Sequence, residues 1–242
     1  MNRLLVILIL ITTLNACNHS GYNANINASQ NILPVKSIQI YSDGQIYGGE
    51  FEYVGDKIKK TTDLTSNKHA LFFYSDKLIT TINIYENEKG LKETLRFEYD
   101  EKDRLIKETI RNGKKIDYII NTNGTIYAVL NRDTNVIFIK ENKIIKEQLA
   151  NGEIYVYEYD NQFSPLKNIA GMDKLFYSYE FGNVGVYYNI ITKKQLNSQN
   201  PFLSESKYEY NLNQFPDKET YQQKDKNNQI IDYYNIMYYY NK

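Results

Sequence analysis

The sequence has no tryptophan and one cysteine, and only 2 histidines and 4 prolines among its 242 residues. A single cysteine excludes an internal disulfide, so the folded part must be stabilised by its core. The two histidines, His19 and His69, are too few and too far apart to assemble a histidine-based triad or metal cluster. The acidic residues follow no calcium-loop spacing. We therefore expect no metal, no cofactor and no enzyme activity.

An excess of one charge is also missing, because 29 Lys and Arg residues face 29 Asp and Glu residues. A nucleic-acid partner requires a basic surface, so none is expected. The longest apolar run, Leu4 to Ile11, is shorter than the roughly 20 residues that a permanent transmembrane helix needs. With Arg3 before it and a small residue after it, this run is typical of a signal peptide.

The predicted signal peptide covers residues 1–16 and ends directly before the single cysteine, Cys17. Leu14-Asn15-Ala16-Cys17 resembles the lipobox of bacterial lipoproteins. That resemblance implies acylation of Cys17 and attachment to a membrane through its lipid. Asn18 is not the aspartate that is associated with inner-membrane retention. We expect a cell envelope protein, anchored most plausibly in the outer membrane, with the side it faces left open.

Residues 17–34 are rich in Asn, Ala and Ser, which predicts a flexible, lipidated tether. A β domain is expected over residues 35–242. There, aromatic residues alternate with mostly charged ones in short segments, as in Tyr155-Val156-Tyr157-Glu158-Tyr159, which is the pattern of half-buried strands. Asn-Gly and Asp-Gly pairs separate the segments and predict tight hairpins. Consecutive strands should pair in an antiparallel meander.

One segment departs from this alternation. Ser164-Pro165 followed by Leu166, Ile169 and Ala170 has the cap, the early proline and the apolar spacing of a short helix. We predict a short helix or helical turn over residues 164–171 that caps one end of the sheet or plugs the core.

An internal repeat is the most specific feature of the β domain. Its unit is an aromatic residue, a variable residue, Tyr, a turn former, a short gap and an apolar residue. Copies start at Phe51, Phe72, Phe97, Tyr157 and Tyr208. The repeat resembles the degenerate tyrosine-aspartate repeat lipoproteins, which are distantly similar to rearrangement-hot-spot shell proteins. Tyr99-Asp100 with Arg104-Leu105 comes closest, although Asp103 stands where that motif has glycine. The resemblance implies an all-β fold without an assigned activity.

The polar face of the strands indicates whether the sheet could form a barrel that spans a membrane. Glu and Lys recur there, and a lipid-facing Lys or Arg costs about 2–4 kcal/mol at the bilayer midplane. This excludes a membrane-spanning barrel and favours a large twisted or curled sheet, or a two-layer β structure, in water.

The 24 tyrosines are the main chemical resource of the sequence. They form either a cross-strand aromatic ladder or a platform for ligand binding, and Tyr155, Tyr157 and Tyr159 are the first candidates for a binding strip. The predicted function is a non-catalytic binding or adaptor module for glycan or protein. The alternatives are a structural spacer and a glycan-active hydrolase, for which Glu98 and Glu158 are a conceivable pair if their strands are neighbours.

Overall fold

The structure is a computed structural model that describes residues 32–86, 90–182 and 185–241. The predicted signal peptide, the predicted lipidation site Cys17 and residues 17–31 of the predicted tether lie outside these residues. Within the described ranges, no helix is long and apolar enough to cross a membrane.

The described residues form sixteen antiparallel strands in one sheet. The strands are β1 (Pro34–Tyr41), β2 (Ile46–Val54), β3 (Lys57–Asp63), β4 (Lys68–Ser75), β5 (Leu78–Glu86), β6 (Gly90–Tyr99), β7 (Leu105–Thr109), β8 (Lys115–Ile120), β9 (Thr125–Leu130), β10 (Asp133–Lys140), β11 (Lys143–Gln148), β12 (Ile154–Phe163), β13 (Tyr188–Leu196), β14 (Leu203–Tyr210), β15 (Pro216–Lys224) and β16 (Ile230–Tyr240).

Each strand pairs with its neighbours in the sequence, which confirms the predicted antiparallel meander. The first and last strands also pair, from Pro34 opposite Tyr240 to Tyr41 opposite Tyr234, so the sheet closes into a barrel. The predicted open, curled or two-layer sheet is therefore wrong. Closure gives β1 and β16 a second partner each and leaves no edge strand exposed.

The fifteen connections between consecutive strands lie at the two ends of the barrel. The turns that follow even-numbered strands share one end with Leu33 and Asn241, which exchange hydrogen bonds of 2.7 and 3.0 Å. We call this the terminal end. The turns that follow odd-numbered strands, including 42–45 between β1 and β2 and 225–229 between β15 and β16, form the far end.

The sequence repeat corresponds to a hairpin at the terminal end with a β-bulge beside its turn. In β6 and β7, Glu98 pairs with Lys107 and Tyr99 with Leu105, so Ile106 is the extra residue. The same shift occurs between β2 and β3, β4 and β5, β12 and β13, and β14 and β15. A bulge of this kind increases the local twist, which helps a sheet to curve into a barrel.

Tyrosine hydroxyls join successive hairpins at this end. The hydroxyl of Tyr99 donates to the carbonyl of Ile79, the first buried residue of the preceding return strand, over 2.8 Å. Four further tyrosines make the equivalent bond to the strand before their own: Tyr53 to Pro34, Tyr159 to Ile144, Tyr208 to Ile190 and Tyr240 to Pro216. We refer to these five bonds as the tyrosine ladder.

The long connection between β12 and β13 enters the barrel from the terminal end as a plug. Its residues Leu166, Ile169, Met172 and Leu175 are at most 2 % exposed. The predicted helix over 164–171 is wrong: residues 165–168 form turns, and a single 3₁₀ turn follows at Met172–Lys174. Ser164 does accept from the Leu166 amide as a cap would. The apolar residues that follow are buried in the core of the barrel without forming a helix.

The plug makes polar contacts with the inner wall. The Tyr177 hydroxyl donates to the Leu105 carbonyl over 2.8 Å, and the Tyr179 amide donates to the Glu108 carboxylate over 2.9 Å. The Cβ of any residue replacing Gly171, whose φ is +79°, would lie 2.6 Å from the Lys77 carbonyl oxygen. Close approach of plug and wall at this position therefore requires glycine.

The interior is divided into an apolar and a polar region. Inward side chains of β2 to β12 pack on the plug, and Ile58, Ile79, Ile82 and Leu95 are fully buried there. The inner faces of β13 to β16 and β1 instead carry Ser, Gln, Glu and Tyr. Any binding chemistry inside the barrel therefore belongs to this second region.

Candidate functional site: the polar inner wall at the far end

The polar region ends in a cluster of tyrosines beside the far-end turns. Period-2 alternation places Tyr41 at the end of β1, Tyr47 at the start of β2, Tyr221 near the end of β15 and Tyr234 near the start of β16 on the inner face. We call these four residues the far-end tyrosine cluster.

The rings of the cluster contact one another across the strands. Tyr221 and Tyr234 stack with ring centroids 4.3 Å apart and planes inclined by 9°. Tyr41 lies 5.1 Å from Tyr234 at 54°, and Tyr47 meets Tyr41 edge to face at 5.5 Å. Such cross-strand aromatic pairs stabilise the sheet where β16 closes on β1.

Amide, hydroxyl and carboxyl groups surround the cluster. Ser204 and the Tyr221 hydroxyl lie 2.9 Å apart, and that hydroxyl also donates to the side-chain oxygen of Gln223 over 2.9 Å. Asp232 pairs with Gln223 on the same face, two residues before Tyr234. Glu219 accepts from Ser206 and Tyr238 over 2.6 and 3.2 Å. The wall thus offers both donors and acceptors beside aromatic surface.

Carboxylates surround the phenols of Tyr41 and Tyr221. Burial, together with the Asp232 and Glu219 charges, raises the pKa of Tyr221 to about 12, although the Ser204 hydroxyl lowers it. Burial and Asp232 also raise the pKa of Tyr41. Tyr41 and Tyr221 therefore stay protonated at neutral pH and can donate hydrogen bonds. Burial raises the pKa of Asp232 as well.

The far-end cluster is partly exposed to solvent. The four tyrosines, Gln223 and Asp232 are all only partly buried although their side chains face inward. Inward residues of the plugged region, such as Leu95 and Leu105, are fully buried. The far-end tyrosines therefore keep some exposed surface, whereas the inward residues packed on the plug have none.

The predicted strip Tyr155, Tyr157 and Tyr159 lies on the inner face of β12. Its hydroxyl groups have protein partners: that of Tyr157 donates to Glu147 over 2.5 Å, that of Tyr159 to Ile144 over 3.0 Å, and that of Tyr155 accepts from Gln195 over 3.1 Å. Tyr157 is 4 % exposed. Tyr159 belongs to the tyrosine ladder, and all three rings pack in or against the hydrophobic core.

The fold does not bring the other candidate residues, Glu98, Glu158 and His69, into one site. Glu98 lies on β6 and Glu158 on β12, which are not neighbours in the barrel, and both side chains point outward and are exposed. His69 lies on the outer face, with its ring stacked on Tyr85 at 4.9 Å. Within the described ranges, no three His, Cys, Asp or Glu side chains converge as metal ligands.

The outer face carries ion pairs along the strands. Lys36 and Glu50 are 3.1 Å apart across β1 and β2, and Lys107 lies 3.9 Å from Glu98 and 3.7 Å from Asp117. Lys218 pairs with Glu209 at 2.6 Å on the opposite side of the barrel. Each of these pairs joins neighbouring strands on the outer wall of the barrel.

No protein-family model and no curated protein matches this sequence. Among solved structures, the chain is similar to a porin-like protein from Bacteroides uniformis, with 10% identity, a TM-score of 0.42 and coverage of 86% of this chain and 96% of that chain. It is also similar to a porin-like protein from Bacteroides vulgatus, with 15% identity, a TM-score of 0.42 and coverage of 86% and 99%. Likenesses this distant assign no function to the chain.

The far-end cluster could not be recognised in the sequence because four strands from the two chain ends contribute to it. Tyr41 and Tyr234 are far apart in the sequence and meet only when β1 pairs with β16. Tyr234, Tyr238 and Tyr240 share a face of β16 by alternation, but nothing in residues 230–240 indicates which strands pair with them.

Proposed function

We propose that this protein is a lipid-anchored envelope protein that binds a glycan, without catalysis, inside the far end of its barrel. The observation that carries the proposal is the partial exposure of inward-facing tyrosines at that end, beside the amide of Gln223 and the carboxyl group of Asp232. Aromatic faces next to hydrogen-bonding side chains suit a sugar, whose ring has apolar faces and polar edges. Folded proteins would instead have to contact the outer wall.

The position of the chain ends supports this arrangement. Leu33 and Asn241 lie at the terminal end, so a lipid on Cys17 would attach the barrel by that end and leave the far end accessible. The ion pairs on the outer wall favour a barrel that stands in water next to the membrane.

A structural spacer is the second candidate, and the tyrosine ladder favours it. Five hydroxyls that bond neighbouring hairpins make the repeat a stiffening device. In that case the far-end tyrosines serve only to close the barrel.

A glycan array with the purified full-length lipoprotein tests the binding function. We expect binding that is lost when Tyr41 and Tyr47 are both changed to Ala and is retained in Tyr127→Ala, which removes an exposed ring from the outer face of β9. Thermal unfolding must show that all three proteins are folded. If no glycan binds, or if the far-end variant binds as well as the wild type, the results favour the structural spacer instead.

The anchor has its own test. Cys17→Ser should abolish labelling with radioactive palmitate and leave an uncut precursor in the cell. Normal cleavage and labelling of this variant would exclude lipidation at Cys17.

A further inference from the structure

Asp232 is the least compensated charge near the far-end cluster. Its side chain faces inward on β16, is partly buried, and lies opposite Gln223 and two residues from Tyr234. Within the part of the chain that the structure describes, no ion pair joins it to a lysine, arginine or histidine. A carboxylate held in such a position gains from any cation that enters with a ligand.

The charges that act on the far-end tyrosines are carboxylates. Asp232 raises the pKa of Tyr41, Tyr221 and Tyr234, and Glu219 raises that of the last two. The interior cation of this region, Lys193 on β13, lies opposite Ser204 and stacks over Tyr155 and Tyr157 at 4.9 and 5.5 Å. Lys193 is therefore already held by aromatic rings beside the cluster.

From the juxtaposition of partly exposed tyrosine rings with the Asp232 carboxylate, we infer that the far-end site recognises a ligand that carries a protonated amine, such as an amino sugar. A tyrosine face attracts a cation through its π electrons, and a nearby carboxylate adds a direct Coulomb attraction. A neutral sugar would gain the aromatic contact only. An acidic sugar would be repelled. This inference rests on the proposed glycan-binding function and specifies its ligand.

Two oligosaccharides that differ in charge test the inference with the full-length lipoprotein. Hexameric glucosamine carries amines that are largely protonated at about pH 6, and hexameric N-acetylglucosamine has the same backbone with neutral amides. Titration calorimetry should show that the amine form binds roughly tenfold more tightly, which corresponds to about one ion pair at a partly exposed site. Hexagalacturonate, the acidic probe, should not bind.

The variant Asp232→Asn should remove the preference for the amine and make the two hexamers bind equally. Asp117→Asn, which removes an exposed carboxylate from the outer face of β8, is the matched control and should retain it. In the wild-type protein, added salt should weaken binding of the glucosamine hexamer much more than that of the acetylated one. This salt dependence provides a test that requires no variant.

Equal or reversed affinities of the wild-type protein for the two hexamers would overturn the amine inference, as would binding of neither hexamer by a protein that binds other glycans on the array. The proposed function fails differently, by the absence of any glycan whose binding depends on Tyr41 and Tyr47.

Discussion

Tyrosine hydroxyls in this barrel fall into two sets, distinguished by their partners. Those of the tyrosine ladder donate to backbone carbonyls of the preceding hairpin and are part of the fold, as for Tyr99 and Ile79. Those of the far end bond side chains such as Gln45 and Gln223 and remain within reach of water. One residue type therefore serves stability at one end of the barrel and is available for recognition at the other.

Removing a ladder hydroxyl should lower stability without changing the fold. Tyr99→Phe leaves the ring in place but deprives the Ile79 carbonyl of its donor, so the free energy of unfolding should fall by about 1 kcal/mol. Urea denaturation followed by circular dichroism measures the difference. Tyr127→Phe, at an exposed outer position, is the control and should change stability by less than about 0.5 kcal/mol. Equal effects of the two substitutions would show that the ladder bond is unimportant.

The repeat allowed the sequence to predict the hairpins but not the roles of its tyrosines. The alternation in Phe97-Glu98-Tyr99 indicates which side chains share a face, and the Asp100 turn indicates where the strand ends. Which carbonyl accepts from Tyr99 depends on how the neighbouring hairpin is aligned. That alignment is set by the pairing of β5 with β6, in which Asn83 lies opposite Thr94, and no pattern within a single repeat indicates it.

At the scale of elements, the plug shows why the short helix was mispredicted. Start signals at Ser164 and Pro165 are present, and the Ser164 cap forms. Isolated helices shorter than about 12 residues are marginal, so tertiary contacts decide their conformation. Here Ala170 donates to the Asp56 carbonyl in one hairpin, and Gly171 packs against Lys77 in the next, which holds the segment as a series of turns.

Glu108 links the plug to the wall and should make this contact sensitive to pH. Burial raises its pKa from 4.5 to about 7, partly offset by the hydrogen bonds from Tyr118 and the Tyr179 amide. Because the folded state binds the proton more tightly than the unfolded chain, the group contributes stability at acidic pH. That contribution is lost as the pH rises from about 4.5 to 7, by roughly 3 kcal/mol in total.

The variant Glu108→Gln should abolish this part of the pH dependence. We expect the free energy of unfolding of the wild-type protein to fall, relative to that of the variant, between about pH 4.5 and 7, as measured by urea denaturation at a series of pH values. Glu98→Gln, on the outer face, is the control and should parallel the wild type. A difference between wild type and Glu108→Gln that is constant with pH would contradict the assignment.

At the scale of the whole molecule, closure of the sheet into a barrel is the property that could not be predicted from the sequence. Every hairpin except the one formed by β12 and β13 spans at most 25 residues. Closure, in contrast, joins Leu33 to Asn241 across 208 positions. The alternating pattern of β16 is the same whether its free edge meets solvent or β1. The charged outer face and the aromatic inner face were predictable, whereas the meeting of Tyr41 with Tyr234, and with it the candidate site, was not.

Closure also predicts how the molecule responds to truncation. In an open array of repeats, removing the last unit leaves the others folded. A chain that ends at Asn228 lacks β16, so β1 and β15 each lose an antiparallel partner and the barrel acquires two exposed edges. We expect this chain to aggregate and to show no cooperative thermal transition by circular dichroism and size-exclusion chromatography. The control Tyr239→Ser, which preserves every backbone pair of β16, should remain monodisperse and melt cooperatively. A truncated chain that melts like the intact protein would mean that the hairpins are stable as an open sheet and that the contact of β1 with β16 is dispensable.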